Sequence, residues 1–161
     1  MSRWVVDTSP LIFLAHLDRL DLLRRSADEI LVPPAVLREL QAKPESSISR
    51  IDAARRTWLR LEAPKGKNFL RVLRLELDEG EAEAIALAYE QSADRTVIDD
   101  LAGRRFARRL ELPIVGTLGL LLAARLRGDI DSIKNEIDAL REAGFYASES
   151  LVNEVLRAAG E

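Results

Sequence analysis

Three features of the sequence predict an α/β fold built on a central parallel sheet. Short apolar, β-branched runs recur at Trp4-Val5-Val6, Glu29-Ile30-Leu31-Val32, Thr96-Val97-Ile98 and Leu112-Pro113-Ile114-Val115. Stretches with helical spacing of apolar residues separate them, and Pro, Gly and acidic residues punctuate the junctions. Strands that alternate with helices pair in parallel through right-handed crossovers, which cover both faces of the sheet.

Taken in order, Trp4-Val5-Val6 is strand one, closed by Asp7. Thr8-Ser9-Pro10 then opens a helix, with Ser9 as N-cap and Pro10 at the first helical position. Helical burial continues through Leu11 to Ala15, Leu17, Leu20, Leu22 and Leu23. Glu29 to Val32 is strand two, stopped by Pro33-Pro34, and a helix follows from about Pro34 to Gln41. Pro44-Glu45-Ser46-Ser47 is a polar break, Ile51 to Arg56 is helical, and Trp58-Leu59-Arg60-Leu61 alternates as a short edge strand. A helix covers Phe69 to Leu75, Asp78-Glu79-Gly80 is a turn, and the alanine-rich run Glu81 to Gln91 is a clear helix. After strand Thr96 to Ile98 comes an Arg-rich helix, Leu101 to Leu110, and then the last strand. Three helices, Leu118 to Arg127, Ile130 to Ala143 and Glu149 to Ala159, complete the chain.

The 161 residues have the length of one domain, with helices from about 130 to 159 packed on it. At this size roughly two-thirds of the unfolded surface can be buried without disulfides. A content of 47% hydrophobic and 32% charged residues excludes a disordered tail or a fibre. Zero cysteines and one histidine exclude thiolate and histidine-rich metal sites, so any metal must be held by oxygen. The net charge of −3 restricts nucleic-acid binding to local basic patches. No run approaches the roughly 20 apolar residues of a membrane span, and no apolar leader precedes strand one, so a cytoplasmic protein is expected.

Five acids fall where strands and helices meet: Asp7 after strand one, Glu39 on a later helix, Glu81 opening another, and Asp99-Asp100 after a second strand. In open parallel sheets the site lies beyond the carboxyl ends of the strands, where strand order reverses. If the strands before Asp7 and Asp99 are neighbours, these carboxylates face one crevice. Gathered carboxylates repel one another unless a cation lies between them, and a divalent metal is the usual solution. The chain therefore reads as a metal-dependent enzyme. An oxygen-only site suits Mg²⁺ or Mn²⁺.

The segments Val5 to Ile12, Val36 to Leu40, Leu77 to Ala88, Val97 to Asp100 and Gly116 to Gly119 together resemble a PIN-domain nuclease, near the VapC-type toxins. The resemblance runs in order along nearly the whole chain. It implies a three-layer α/β/α, Rossmann-like domain that cleaves RNA with Mg²⁺ or Mn²⁺ held by three or four carboxylates. By position, Asp7 matches the first acid, Glu39 the second, Glu81 the third, and Asp99 or Asp100 the fourth. Many relatives have aspartate where Glu81 stands. It also implies an antitoxin protein as partner and a homodimer, for which the apolar helix Leu118 to Leu126 could serve.

Glu83 competes with Glu81 for the third role. At about 100° per residue the two diverge by roughly 200°, so both cannot point at one ion. An apolar stripe of Ala82, Ile85, Ala86 and Tyr89 faces the core with a glutamate on either side. Glu81, in the first turn, is also favoured by the helix dipole, leaving Glu83 behind the ligands or at the surface. Thr8, Ser9 and Thr117 are placed to hold a water or a ligand carboxylate, Ser9 and Thr117 being the substrate-side candidates.

Arg104, Arg105, Arg108 and Arg109 form two i,i+4 pairs beside the acids, suited either to RNA phosphates, with Arg104 and Arg108 foremost, or to a solvated face paired with Glu111 and neighbouring residues. Lys65, Lys67, Arg71 and Arg74 form a second such set. His16 reads as a packed or half-exposed residue, and Trp4 and Trp58 as core or edge packing. A non-catalytic protein-binding module and aspartate-based phosphotransfer are the competing functions. The phosphotransfer motifs are incomplete: Ser9 stands where a phosphatase needs its second aspartate, and Val115-Gly116-Thr117 lacks a receiver domain's lysine.

Overall fold

The computed structural model describes residues 1–42 and 46–161. Along the chain run β1 (Arg3–Val6), α1 (Thr8–His16), α2 (Asp21–Ser26), β2 (Glu29–Val32), α3 (Pro34–Gln41), α4 (Ser46–Arg55), β3 (Leu59–Leu61) and α5 (Lys67–Leu73). They continue with α6 (Glu79–Gln91), β4 (Arg95–Val97), α7 (Leu101–Arg109), β5 (Ile114–Val115), α8 (Thr117–Arg127), α9 (Ile133–Glu142) and α10 (Glu149–Ala158). The polar break expected at Pro44–Ser47 falls partly on 43–45, outside the described residues.

The five strands pair in parallel in the order β3-β2-β1-β4-β5. The chain starts in the centre, steps outward to β2 and to β3 at one edge, then returns to build β4 and β5 on the other side. Strand order thus reverses between β1 and β4. The register pairs Val6 with Val97, and the Asp7 amide donates to the Val97 carbonyl at 3.0 Å. The expected neighbours are therefore neighbours.

Side chains leave the strands alternately, as a two-residue period requires. Val6, Ile30, Val32 and Val97 point into the larger core, which is completed by Leu11, Leu14, Leu121, Ile137, Leu140 and Val152 of the helices on that face. Val5 and Leu31 point the other way, against Ala84, Leu87 and Ala88 of α6. Helices cover both faces, giving three layers, α/β/α. Arg19 grips Glu136 of α9 through two guanidinium nitrogens at 2.9 and 2.6 Å, fastening the C-terminal helices to the α1–α2 turn.

Several local expectations are corrected. Helix α1 begins at Thr8, with Asp7 rather than Ser9 as N-cap residue; Pro10 is tolerated because the first turn's amides have no intrahelical partner. The helical run up to Leu23 is split into α1 and α2 by a turn in which Asp18 takes φ 58. Glu79 and Gly80 belong to α6, with Asp78 as its N-cap. The stripe expected on α6 is absent, because every residue from Gly80 to Ala88 is buried while Tyr89 is 53% exposed. The helix lies between the sheet, α3, α5 and α7, and its alanines keep it thin enough to pack on all sides. His16 is exposed at the end of α1. Leu118, Leu120, Leu121 and Ala124 of α8 are buried in the chain's own core, whereas Gly119, Ala123 and Leu126 of the same helix are exposed. Among the described residues no helix is long and apolar enough to cross a membrane.

Candidate active site at the carboxyl ends of β1 and β4

The reversal of strand order opens a crevice, and the acids gather there because each follows or faces one of the two central strands. Asp7 leaves β1 as both strand end and N-cap residue of α1, and it is 5% exposed. Burial pushes its carboxyl up to about 7, and the charges of Asp78, Glu39 and Asp99 add to the rise against a lowering hydrogen bond from the Thr8 backbone. Glu81, 8% exposed in the first turn of α6, is pushed up to about 9. Burial is the largest cause, followed by a side-chain hydrogen bond with Asp78 and then by the charges of Asp78, Asp100 and Asp7. Both acids are thus held above the ordinary carboxylate range, chiefly because burial disfavours the charged form, with the neighbouring acids adding to the rise.

Hydrogen bonds fix the remaining carboxylates. Glu39, from α3, accepts from the Thr8 hydroxyl at 2.6 Å and the Gly80 amide at 2.9 Å. Asp99 accepts from the Thr117 amide at 2.8 Å and the Thr117 hydroxyl at 2.6 Å. Asp100 caps α7, accepting from Ala102 and Gly103 at 3.0 and 3.3 Å.

Glycines make these approaches possible. A Cβ on Gly80 would stand 2.6 Å from a Glu39 carboxylate oxygen, and one on Gly103 would meet Ile98 at 2.5 Å and Glu81 at 3.1 Å. Any larger residue at either position displaces an acid of the cluster or the wall behind it.

The structure thus brings together Asp7, Glu39, Glu81, Asp99 and Asp100, and adds Asp78, expected from the sequence only as part of a turn. The missed signal is the D-x-x-E spacing of a capping box: the Glu81 amide donates to Asp78 Oδ1 at 2.8 Å. Glu83 diverges from Glu81 and is not at the surface. It is 5% exposed, accepts from the Ala35 amide at 3.0 Å and from Arg38 at 3.2 Å, and lies 3.6 Å from Arg74. It therefore ties the start of α3 to α6. Glu83→Ala is expected to cost about 1–2 kcal/mol by stripping a buried backbone amide of its acceptor, which thermal melts will show.

Thr117 is fully buried under Asp99, so it positions that acid and does not face a substrate. Thr8 does the same for Glu39. Ser9 is exposed on the first turn of α1. On α7, Arg104 is half-buried and donates to the Ile98 carbonyl at 2.9 Å; burial and neighbouring Arg108 hold its pKa below the ordinary value. Among the described residues neither Arg104 nor Arg108 forms an ion pair, whereas Arg109 pairs with Glu76, not with Glu111, at 3.8 Å. In the second basic set, Arg74 is paired with Glu79 at 3.2 Å.

The donor chemistry of the cluster fits a hard divalent cation, being carboxylate oxygen throughout. As the side chains stand, no three acids among the described residues converge on one point at ligand distance. Thr117, the α7 amides and the Thr8–Gly80 pair each hold one acid aside, and a bound ion would compete with these partners.

In comparison with known families, a family model described as a PIN domain matches residues 3–161. Among curated proteins, none matches the chain.

Proposed function

Since the chain belongs to the PIN-domain family, with a nuclease-type fold, we propose that it is a Mg²⁺- or Mn²⁺-dependent endoribonuclease that hydrolyses RNA phosphodiesters. The observation that carries this reading is the meeting of six carboxylates at the point where strand order reverses, with the carboxyls of Asp7 and Glu81 pushed up by burial and by their acidic neighbours.

Asp7, Glu81, Asp99 and Asp100 are the residues to hold the ion, with Glu39 and Asp78 around them. When bound, the ion supplies a water activated for attack on phosphorus and offsets charge on the phosphate. Thr117 orients Asp99, and Thr8 orients Glu39. Arg104, with the donors it does not spend on the Ile98 carbonyl, and Arg108 offer guanidinium N–H groups to the RNA backbone.

Incubation with a pool of structured RNAs tests the reading: cleavage is expected in Mg²⁺ or Mn²⁺ and none in chelator, and intact RNA under all three conditions would overturn it. The resemblance to VapC-type toxins supports extending the proposal to a cytoplasmic toxin held by an antitoxin protein, and to a homodimer. A non-catalytic protein-binding module is the second reading. It is favoured by the hydrogen bonds that engage Glu39, Asp99 and Asp100 inside the fold, and the same assay separates the two.

Two further expectations distinguish roles within the site. Glu81→Gln weakens Mn²⁺ binding at least roughly tenfold, in the range for groups that tune metal affinity, whereas Glu83→Ala leaves it unchanged; calorimetric titration giving the reverse ranking would exchange their roles. Replacing Arg104 and Arg108 together by Ala weakens RNA binding and flattens its dependence on salt, because fewer counterions are released. Parallel salt slopes for wild type and double variant would remove this face from the RNA path.

A further inference from the structure

A groove of about 460 Å³ begins at Asp99 and runs away from the acidic cluster, between β5, the start of α8 and the segment leading into α10. Its two ends differ in chemistry. Asp99, Arg104 and the Gly116 backbone form the polar end, where a Cβ on Gly116 would crowd both Arg104 and Asp99 at 3.0 Å. Beyond them the lining is apolar, with Val115, Leu118 and Leu151, and Tyr146 stands 87% exposed at the wall. A large exposed aromatic beside an apolar trough, with the guanidinium of Arg104 at one end, has the composition of a site for a planar base attached to a phosphate. The volume lies within the range of small-molecule pockets.

We propose that this groove receives the base of the nucleotide adjoining the cleaved phosphodiester in single-stranded RNA, with Tyr146 and Leu151 holding the base and Arg104 the phosphate. The assignment rests on the ribonuclease reading for its orientation: because Asp99 borders both the cluster and the groove, a strand whose phosphate lies at the acids sends its next nucleotide past Arg104. Arg104 at the polar end favours a ligand that carries a phosphate over an apolar peptide.

Adenosine 5′-monophosphate and ribose 5-phosphate, titrated in chelator into protein with labelled methyl groups, separate base from phosphate recognition without any need for cleavage. The nucleotide is expected to shift the Val115, Leu118 and Leu151 methyls and to bind roughly tenfold more tightly than ribose 5-phosphate. Tyr146→Ala is expected to remove that advantage and Tyr146→Phe to retain it. Equal binding of the two probes, or unmoved groove methyls, overturns the proposal. So do methyl shifts that depend on protein concentration alone, which would show a second copy covering the groove. RNA cleavage, measured separately with Mn²⁺, keeps the two readings apart: an RNA left intact while the nucleotide binds refutes the nuclease and spares the groove. Cleavage whose KM is untouched by Tyr146→Ala refutes the groove and spares the nuclease.

Discussion

Asp7→Asn is expected to lower RNA cleavage by roughly a thousandfold or more while leaving the protein folded. The magnitude follows from the several kcal/mol that a metal site contributes to phosphoryl charge stabilisation, at about 1.4 kcal/mol per tenfold in rate. Stability should be unchanged or higher in chelator, because Asp7 is buried among Asp78, Glu39 and Asp99 and gains protonation on folding; an amide removes a charge that this environment resists. Cleavage assays and thermal melts on the same preparation decide the point. A variant that melts markedly lower yet cleaves normally per folded molecule would make Asp7 a structural residue.

In chelator, stability should fall as pH rises from about 5 toward 9, opposite to the behaviour of an ordinary salt-bridged carboxylate. Asp7 has an unfolded value of 3.8 and a folded value of about 7, and Glu81 goes from 4.5 to about 9. Below the unfolded values both states are protonated and no cost arises. Between each pair of values the unfolded chain has released a proton that the folded one retains, so stability decreases with pH. Above the folded values both states are ionised and the loss is complete.

The expected change is on the order of a few kcal/mol, less than the simple sum because the two acids share neighbours. Asp28, Glu29, Asp129 and Glu161 are shifted downward by their partners and act in the opposite sense, but only at more acidic pH. Melts from pH 5 to 9 should therefore slope downward for wild type and less so for Asp7→Asn, and saturating Mn²⁺ should flatten the wild-type slope. A flat or rising profile in chelator would show that folding does not raise the two carboxyls.

Much of the fold was legible because strands and helices announce themselves over short distances. Glu29–Val32 and Pro34–Gln41 lie where β-branching and the paired prolines put them. The first helix began earlier than expected because Asp7 serves strand and helix at once, its amide in the sheet and its carbonyl accepting from Leu11. The failed stripe on α6 has a different cause: a helix buried on every side has no polar face to reveal its orientation.

The amino-acid sequence by itself determined the alternation of strands and helices, the oxygen-only donor chemistry, and the acids after strands, since these depend on residue type and local order. Tertiary structure alone decided that β1 and β4 are neighbours, which is what makes Asp7 and Asp99 parts of one crevice. It alone brought Asp78 into the cluster and turned Glu83 toward Ala35 and Arg38. The physical reason is that a carboxylate's role depends on the charges and donors within a few ångströms of it, and those come from segments tens of residues away in the chain.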